Sequence, residues 1–394
     1  MWRAETLGGL LTREAIMKIL CCPDSFKESL TAAEAASALA DGAQRVLPHA
    51  EFREIPMADG GEGFMTSLAD ALGARIIDVP LSNALGESTQ GTIAVAGDRA
   101  VIEAAEAVGI GMVPAHRRRI REMTSYGVGQ LILAALDEGA SEILVGLGGS
   151  GTNDGGAGML RALGARFFDD DGEALSGSPA SLTRISTIDM SGLDPRLSSV
   201  DIRVACDVNN PLLGPRGASA VFGPQKGASS EDVTFLDAAL EQFAKVAGHL
   251  GGPADTPGAG AAGGLGYAMT AFLGAALQSG VDVVMEAVGL EDAVKWADLI
   301  LTGEGAMDHQ TVMGKTLSGV ARLAVTHGVP AIGFAGKLGA GVGELYSHGF
   351  VGLVPIVSEI CTLDEALANG RENLTNAAER AMRLIVARTE IGER

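Results

Sequence analysis

Short apolar runs alternate along the chain with segments whose apolar residues recur at helical spacing. Lys18–Cys22 reads as a first strand, and Thr31 to Glu34 form a capping box that opens a helix to about Leu47. Glu51–Met57 reads as a second strand and Glu62–Leu72 as a second helix. This order implies a parallel sheet, because a helix is the usual crossover between parallel neighbours. The pattern changes in mid-chain. Thr89–Val95 and Arg99–Ala104 flank Gly97 and Asp98, a hairpin signal that a purely parallel sheet does not need. A helix over Tyr126–Leu136 and strands over Glu142–Leu147 and Val200–Cys206 follow. Gly251–Gly266, rich in Gly, Pro and Ala, then interrupts the chain. Beyond it lie strands at Asp298–Leu301, Pro330–Phe334 and Gly352–Val357, a helix at Gly319–His327, and closing helices over Leu363–Ala387.

The simplest architecture is α/β: a Rossmann-like parallel-sheet domain from both chain ends, with a second, mixed α/β domain inserted in it. Its expected parts are an N-terminal extension at residues 1–16, a discontinuous domain at 17–84 plus 256–394, and an inserted domain at 85–255. Two sequential domains are the alternative.

Composition sharpens this picture. At 394 residues the chain exceeds one ordinary domain. Hydrophobic residues make up 47% but aromatic ones only 4%, so the cores must consist of Val, Ile, Leu, Ala and Met. The formal charge of −20 repels nucleic acid and anionic lipid, which argues against both as partners. An anionic substrate then needs a local concentration of lysine, arginine or helix N-termini. Four scattered cysteines suit reduced thiols and a cytoplasmic location. Residues 1–16 carry Arg3, Glu5, Arg13 and Glu14 around a short apolar run, which is not a signal-peptide pattern. No apolar run reaches the roughly 18–20 residues of a membrane span, so a soluble protein is expected.

In open parallel sheets ligands bind beyond the carboxyl ends of the strands, so polar residues directly after apolar runs are the candidates. Asp24, Ser25 and Lys27 leave the first strand, where a cation reaches a phosphate or carboxylate; the plainer reading is a capped turn. Asp59, Gly60, Gly61 and Glu62 leave the second strand and open a helix whose N-terminus favours anions. The densest run spans Gly148 to Gly156 and includes Gly149, Ser150, Gly151, Thr152, Asn153 and Asp154. Its amides and hydroxyls are the ingredients of a phosphate-cradling nest, with Asp154 a candidate metal ligand or base. Asp207, followed by Asn209 and Asn210, resembles hard-cation ligation, and Gln225 and Lys226 come after it. Glu304 stands between two glycines after Asp298–Leu301.

Other chemistries are disfavoured. Neither Gly314-Lys315-Thr316 nor Gly336-Lys337 completes a Walker A motif, and no GxGxxG follows the first strand, which weakens a dehydrogenase reading. The histidines form no metal-ligand spacing, and HExxH and GxSxG are absent.

Taken in order, Pro23 to Lys27, Asp59 to Gly63, Gly148 to Gly156, Gly223 to Gly227 and Thr302 to Gly305 resemble the bacterial glycerate kinases, class I type, which mostly make 2-phosphoglycerate. The resemblance runs from Met17 to about Ala387. It implies a two-domain α/β fold with one domain inserted in the other, ATP and Mg²⁺ as co-substrates, and D-glycerate as acceptor. Chemistry suggests the roles. The Gly149–Asn153 loop and the helix start at Gly60 to Gly63 are the phosphate and carboxylate cradles. Lys27 and Lys226 neutralise charge, and Lys27, Asp24, Asp59 and Asp207 are the catalytic candidates. Asp154, Asp207 and Glu304 are the metal candidates, and Ser25, Glu62 and Gln225 further contacts. Phosphorylation at the 3-position, another small hydroxy acid, or a two-domain small-molecule binding protein are the alternatives. A monomer or homodimer is expected.

Overall fold

A computed structural model of the chain describes residues 16–57, 63–248, 252–309, 311 and 315–392. In chain order its strands are β1 (Lys18–Cys21), β2 (Glu51–Glu54), β3 (Arg75–Ser82), β4 (Ser88–Ala96), β5 (Arg99–Glu103), β6 (Glu142–Gly146), β7 (Arg166–Phe168) and β8 (Ala174–Leu175). They continue as β9 (Thr187–Asp189), β10 (Asp201–Ala205), β11 (Ala276–Gln278), β12 (Leu299–Met307), β13 (Ala331–Leu338) and β14 (Phe350–Pro355). The chain divides into two compact units: Met1–Asp59 with Val284–Arg394, and Gly60–Val283.

The first unit holds one sheet in the order β14-β13-β12-β1-β2, and every pairing in it is parallel. In the central strands Ile19, Leu20, Cys21, Leu299, Ile300 and Leu301 are all fully buried, the continuous apolar pattern of strands covered on both faces. The capping box forms: Thr31 Oγ1 accepts from the Glu34 amide at 3.2 Å, and the Glu34 carboxylate accepts from the Thr31 amide at 2.9 Å. The helix it opens, Ala32–Gln44, packs on the C-terminal helix Gly370–Gly392. A Cβ at Gly42 would lie 2.2 Å from the Thr375 carbonyl oxygen, so only glycine allows that approach. Followed along the chain, the connections from β1 and from β12 run to opposite edges of the sheet. A crevice therefore opens at the carboxyl ends of these two neighbours.

The second unit holds a mixed six-stranded sheet, β11-β10-β6-β5-β4-β3, and a small antiparallel sheet, β8-β7-β9. The hairpin at Gly97 and Asp98 forms, with Gly97 at φ 62° and Ala96 opposite Arg99. The sequence does not announce β3, which pairs with β4 from Arg75 opposite Val95 to Ser82 opposite Ser88. That pairing ties residues 75–82 to this unit, which runs from Gly60 to Val283. The Gly/Pro/Ala stretch also lies inside this unit. A Cβ at Gly263 would meet the Thr152 carbonyl oxygen at 2.0 Å, and one at Gly264 would meet Gly155 Cα at 2.6 Å. The stretch is glycine-rich because two backbones meet there. Among the described residues no helix is long and apolar enough to cross a membrane.

Candidate functional site

Strand β6 ends at Gly146 and leads into the glycine-rich loop, which precedes helix Ala157–Ala162. The loop is tied down along its length. The Ile110 amide donates to the Gly149 carbonyl at 2.8 Å, the Gly151 amide to Val108 at 2.7 Å, and the Gly155 amide to Gly263 at 2.9 Å. Asp154 is fully buried and anchors the far side: Oδ2 accepts from the Ser125 amide (2.7 Å), the Ser125 hydroxyl (2.9 Å) and the Gly158 amide (3.1 Å), and Oδ1 from the Gly156 amide (3.1 Å). Burial pushes its carboxyl upward in pKa, and these four bonds pull it back. Four protein donors thus surround the carboxylate that the sequence offers as a metal ligand or base. Asp154→Ala should cost about 3 kcal/mol or more by orphaning those donors. A denaturation midpoint that moves by less than about 1 kcal/mol would remove this structural role.

Gly151, Thr152 and Asn153 support the loop from behind. Thr152 and Asn153 are fully buried, and Asn153 donates to the Ser219 hydroxyl at 3.0 Å. Gly148, Gly149 and Ser150 instead line a cavity of about 400 Å³, together with Asp207, Gln225 and Lys226. Lys226, on the turn Pro224–Lys226, is only 2% exposed. Its Nζ donates to the Thr152 carbonyl at 2.7 Å and to the Ser150 hydroxyl at 3.3 Å. An ammonium group has three donors, so one remains for a ligand. Lys226 makes no ion pair among the described residues. Burial pushes its pKa down to about 8, and the Asp154 charge partly offsets this. Asp207 is exposed at the cavity, with its Oδ1 accepting from the Gly280 amide at 3.0 Å. Ala262, a non-glycine residue held at φ 51°, also lines the cavity. Such strain persists where the surroundings over-determine the backbone.

The first unit has its own candidate residues at the crevice between β1 and β12. After β1 the chain is pinned by the Asp24 amide donating to Gly303 at 2.8 Å, then turns tightly through Glu28 at φ 64°. Asp24, Ser25, Lys27 and Glu304 line a cavity of about 510 Å³. Glu304 lies within β12 rather than on a loop, because Gly303 lets the strand run on beside β13. A Cβ at Gly303 would meet the Phe334 carbonyl oxygen at 2.5 Å. The half-buried Glu304 carboxyl is pushed up to about 7, first by burial, with Asp24 and Asp308 adding to it. The Thr311 hydroxyl, donating at 3.0 Å, and the Lys27 charge act against this rise. Asp59, Gly60, Gly61 and Glu62 lie outside the described residues.

The sequence missed the contribution of Ala261 and Ala262 to the cavity of the second unit, since the Gly/Ala run reads as a linker. Among the described residues no three His, Cys, Asp or Glu side chains form a preformed metal site. Mg²⁺ does not need one, since it commonly takes one or two carboxylates and completes its shell with phosphate and water. Asp24 and Glu304 fit that requirement: burial raises the Glu304 pKa first and the Asp24 charge adds to it, and a divalent cation would favour the ionised form of both.

Residues 19–386 match the model of the glycerate kinase family. A glycerate kinase of Bacillus subtilis (strain 168) is 47% identical over 366 residues, covering 92% of this chain and 96% of that protein. A glycerate 2-kinase of Escherichia coli (strain K12) is 45% identical over 383 residues, covering 96% of this chain and 99% of that protein. A crystal structure described as a glycerate kinase 2 from Salmonella typhimurium LT2 shares the fold with a TM-score of 0.85 at 43% identity, covering 95% of this chain and 100% of that chain.

Proposed function

The chain belongs to the glycerate kinase family and is an enzyme of that family, and we propose that it transfers the γ-phosphoryl group of ATP to D-glycerate. The acceptor is the 2-hydroxyl, the position named in the relative from Escherichia coli. The observation that carries this reading is the buried ammonium of Lys226, facing a cavity floored by Gly149 and Ser150. A lysine desolvated with no carboxylate partner among the described residues is held ready for an anion. Its remaining donor, aided by the loop, takes the glycerate carboxylate.

In the transfer the hydroxyl oxygen forms a bond to the γ-phosphorus as the bond to the β,γ-bridging oxygen breaks, and ADP leaves. Asp207, exposed at the same cavity, accepts the hydroxyl proton. Lys27 neutralises charge on the phosphoryl group. Mg²⁺, held by Asp24 and Glu304 when bound, supplies further charge neutralisation. Among the described residues Cys21, Cys22, Cys206 and Cys361 form no disulfide, which suits action in the cytoplasm.

A coupled assay for ADP release tests the reading. ADP should appear only when both ATP and D-glycerate are present, and phosphorus NMR should identify 2-phospho-D-glycerate. A 3-phosphoglycerate signal would overturn the position, and no glycerate-dependent ADP would overturn the reaction. Lys27→Ala should lower kcat/KM by about 10²-fold without changing the melting temperature, since the residue is exposed. A loss of only about twofold would remove Lys27 from the reaction.

A further inference from the structure

Resting on the kinase reading, we propose that the crevice of the first unit takes the adenine nucleotide. The base lies against an apolar wall of Ile356, Val357, Leu363 and Leu367, and the phosphates point to Lys27 and Lys337. The place follows from topology. The connections of β1 and β12 diverge to opposite edges of a parallel sheet, and such a switch point leaves room for a ligand beyond the strand ends. The side chains supply the chemistry. The lining of the cavity of about 510 Å³ includes branched aliphatic residues and two lysines that make no ion pair among the described residues. A nucleotide uses both, since it carries a flat apolar base and a polyanion. A three-carbon acid has no part that would use the apolar wall.

Two further features favour this occupant. Leu363 is 71% exposed and neighbouring Ile360 fully so, leaving apolar surface uncovered beside the cavity. In the same lining Gly305 and Gly336 leave bare backbone on adjacent strands. A Cβ at Gly336 would lie 2.7 Å from the Gly305 carbonyl oxygen, so the lining stays bare at that position. The cavity of the second unit differs: its lysine is fully buried with one donor remaining, which suits a single carboxylate rather than a phosphate chain.

Calorimetric titration with ATP in Mg²⁺ buffer, on the whole chain and on Leu363→Glu, Leu363→Met and Lys337→Ala, tests the proposal. Leu363→Glu and Lys337→Ala should each weaken ATP binding by about tenfold, and Leu363→Met by less than about twofold. KM for D-glycerate at saturating ATP should stay within about twofold in all three. Unchanged ATP affinity in Leu363→Glu and Lys337→Ala, in protein that turns over normally, would overturn the nucleotide site and leave the kinase reading standing. ATP binding weakened by these changes in a protein without glycerate-dependent ADP release would support the nucleotide site and sink the kinase reading.

Discussion

Lys226→Met is expected to lower kcat/KM for D-glycerate by about 10²–10³-fold while raising the melting temperature. Both effects follow from one burial. Folding strips water from the ammonium group, and the Thr152 carbonyl and Ser150 hydroxyl replace only part of that solvation. The folded pKa is therefore near 8, against 10.5 for a free lysine. The unfolded chain binds the proton more tightly, so the cost is fully present below about pH 8 and disappears as pH rises to 10.5. At neutral pH it amounts to about 3 kcal/mol, which a methionine of similar length does not incur. The charge is thus kept at the expense of stability, as expected of a group retained for its ligand. A thermal scan and steady-state kinetics on the same preparation check this. Lower stability together with near-normal activity would make Lys226 a structural residue.

Chelation of divalent cations by EDTA should abolish turnover, and added Mg²⁺ should restore it. The cavity of the first unit sets Asp24, Glu28 and Glu304 against Lys27 and Lys337, a surplus of negative charge on a chain that already carries −20. A triphosphate does not enter such a place without a counter-cation. Burial raises the Glu304 pKa first, and the Asp24 and Asp308 charges add to that rise. The readout is ADP release in metal-free buffer across a Mg²⁺ titration. Undiminished turnover without metal would remove Asp24 and Glu304 from a cation site.

What was legible in the sequence was mainly local. The Thr31/Glu34 capping box, the Gly97-Asp98 turn and the apolar run of β1 each depend on a few neighbouring residues, and each forms as read. The glycine loop was legible as a special backbone, but its internal division was not. Asp154 serves structure because Ser125, far away in the chain, supplies two of its four donors. Strand β3 was hidden by Asp78 and Pro80, which a sheet edge tolerates because one side of the strand has no partner. Glu304 between two glycines reads as a loop until Phe334 is seen to lie alongside Gly303. The burial of Lys226 had no sequence signal, since it arises from distant loops closing over a residue that is solvated in most proteins.

The claim that one buried ammonium holds the anion is tested most directly by the pH profile of kcat/KM for D-glycerate in wild-type chain and in Lys226→Met. The wild-type profile should fall above about pH 8, roughly tenfold per unit, while the Lys226→Met profile lies far lower and shows no break there. Parallel profiles, breaking at the same pH in both proteins, would contradict the account.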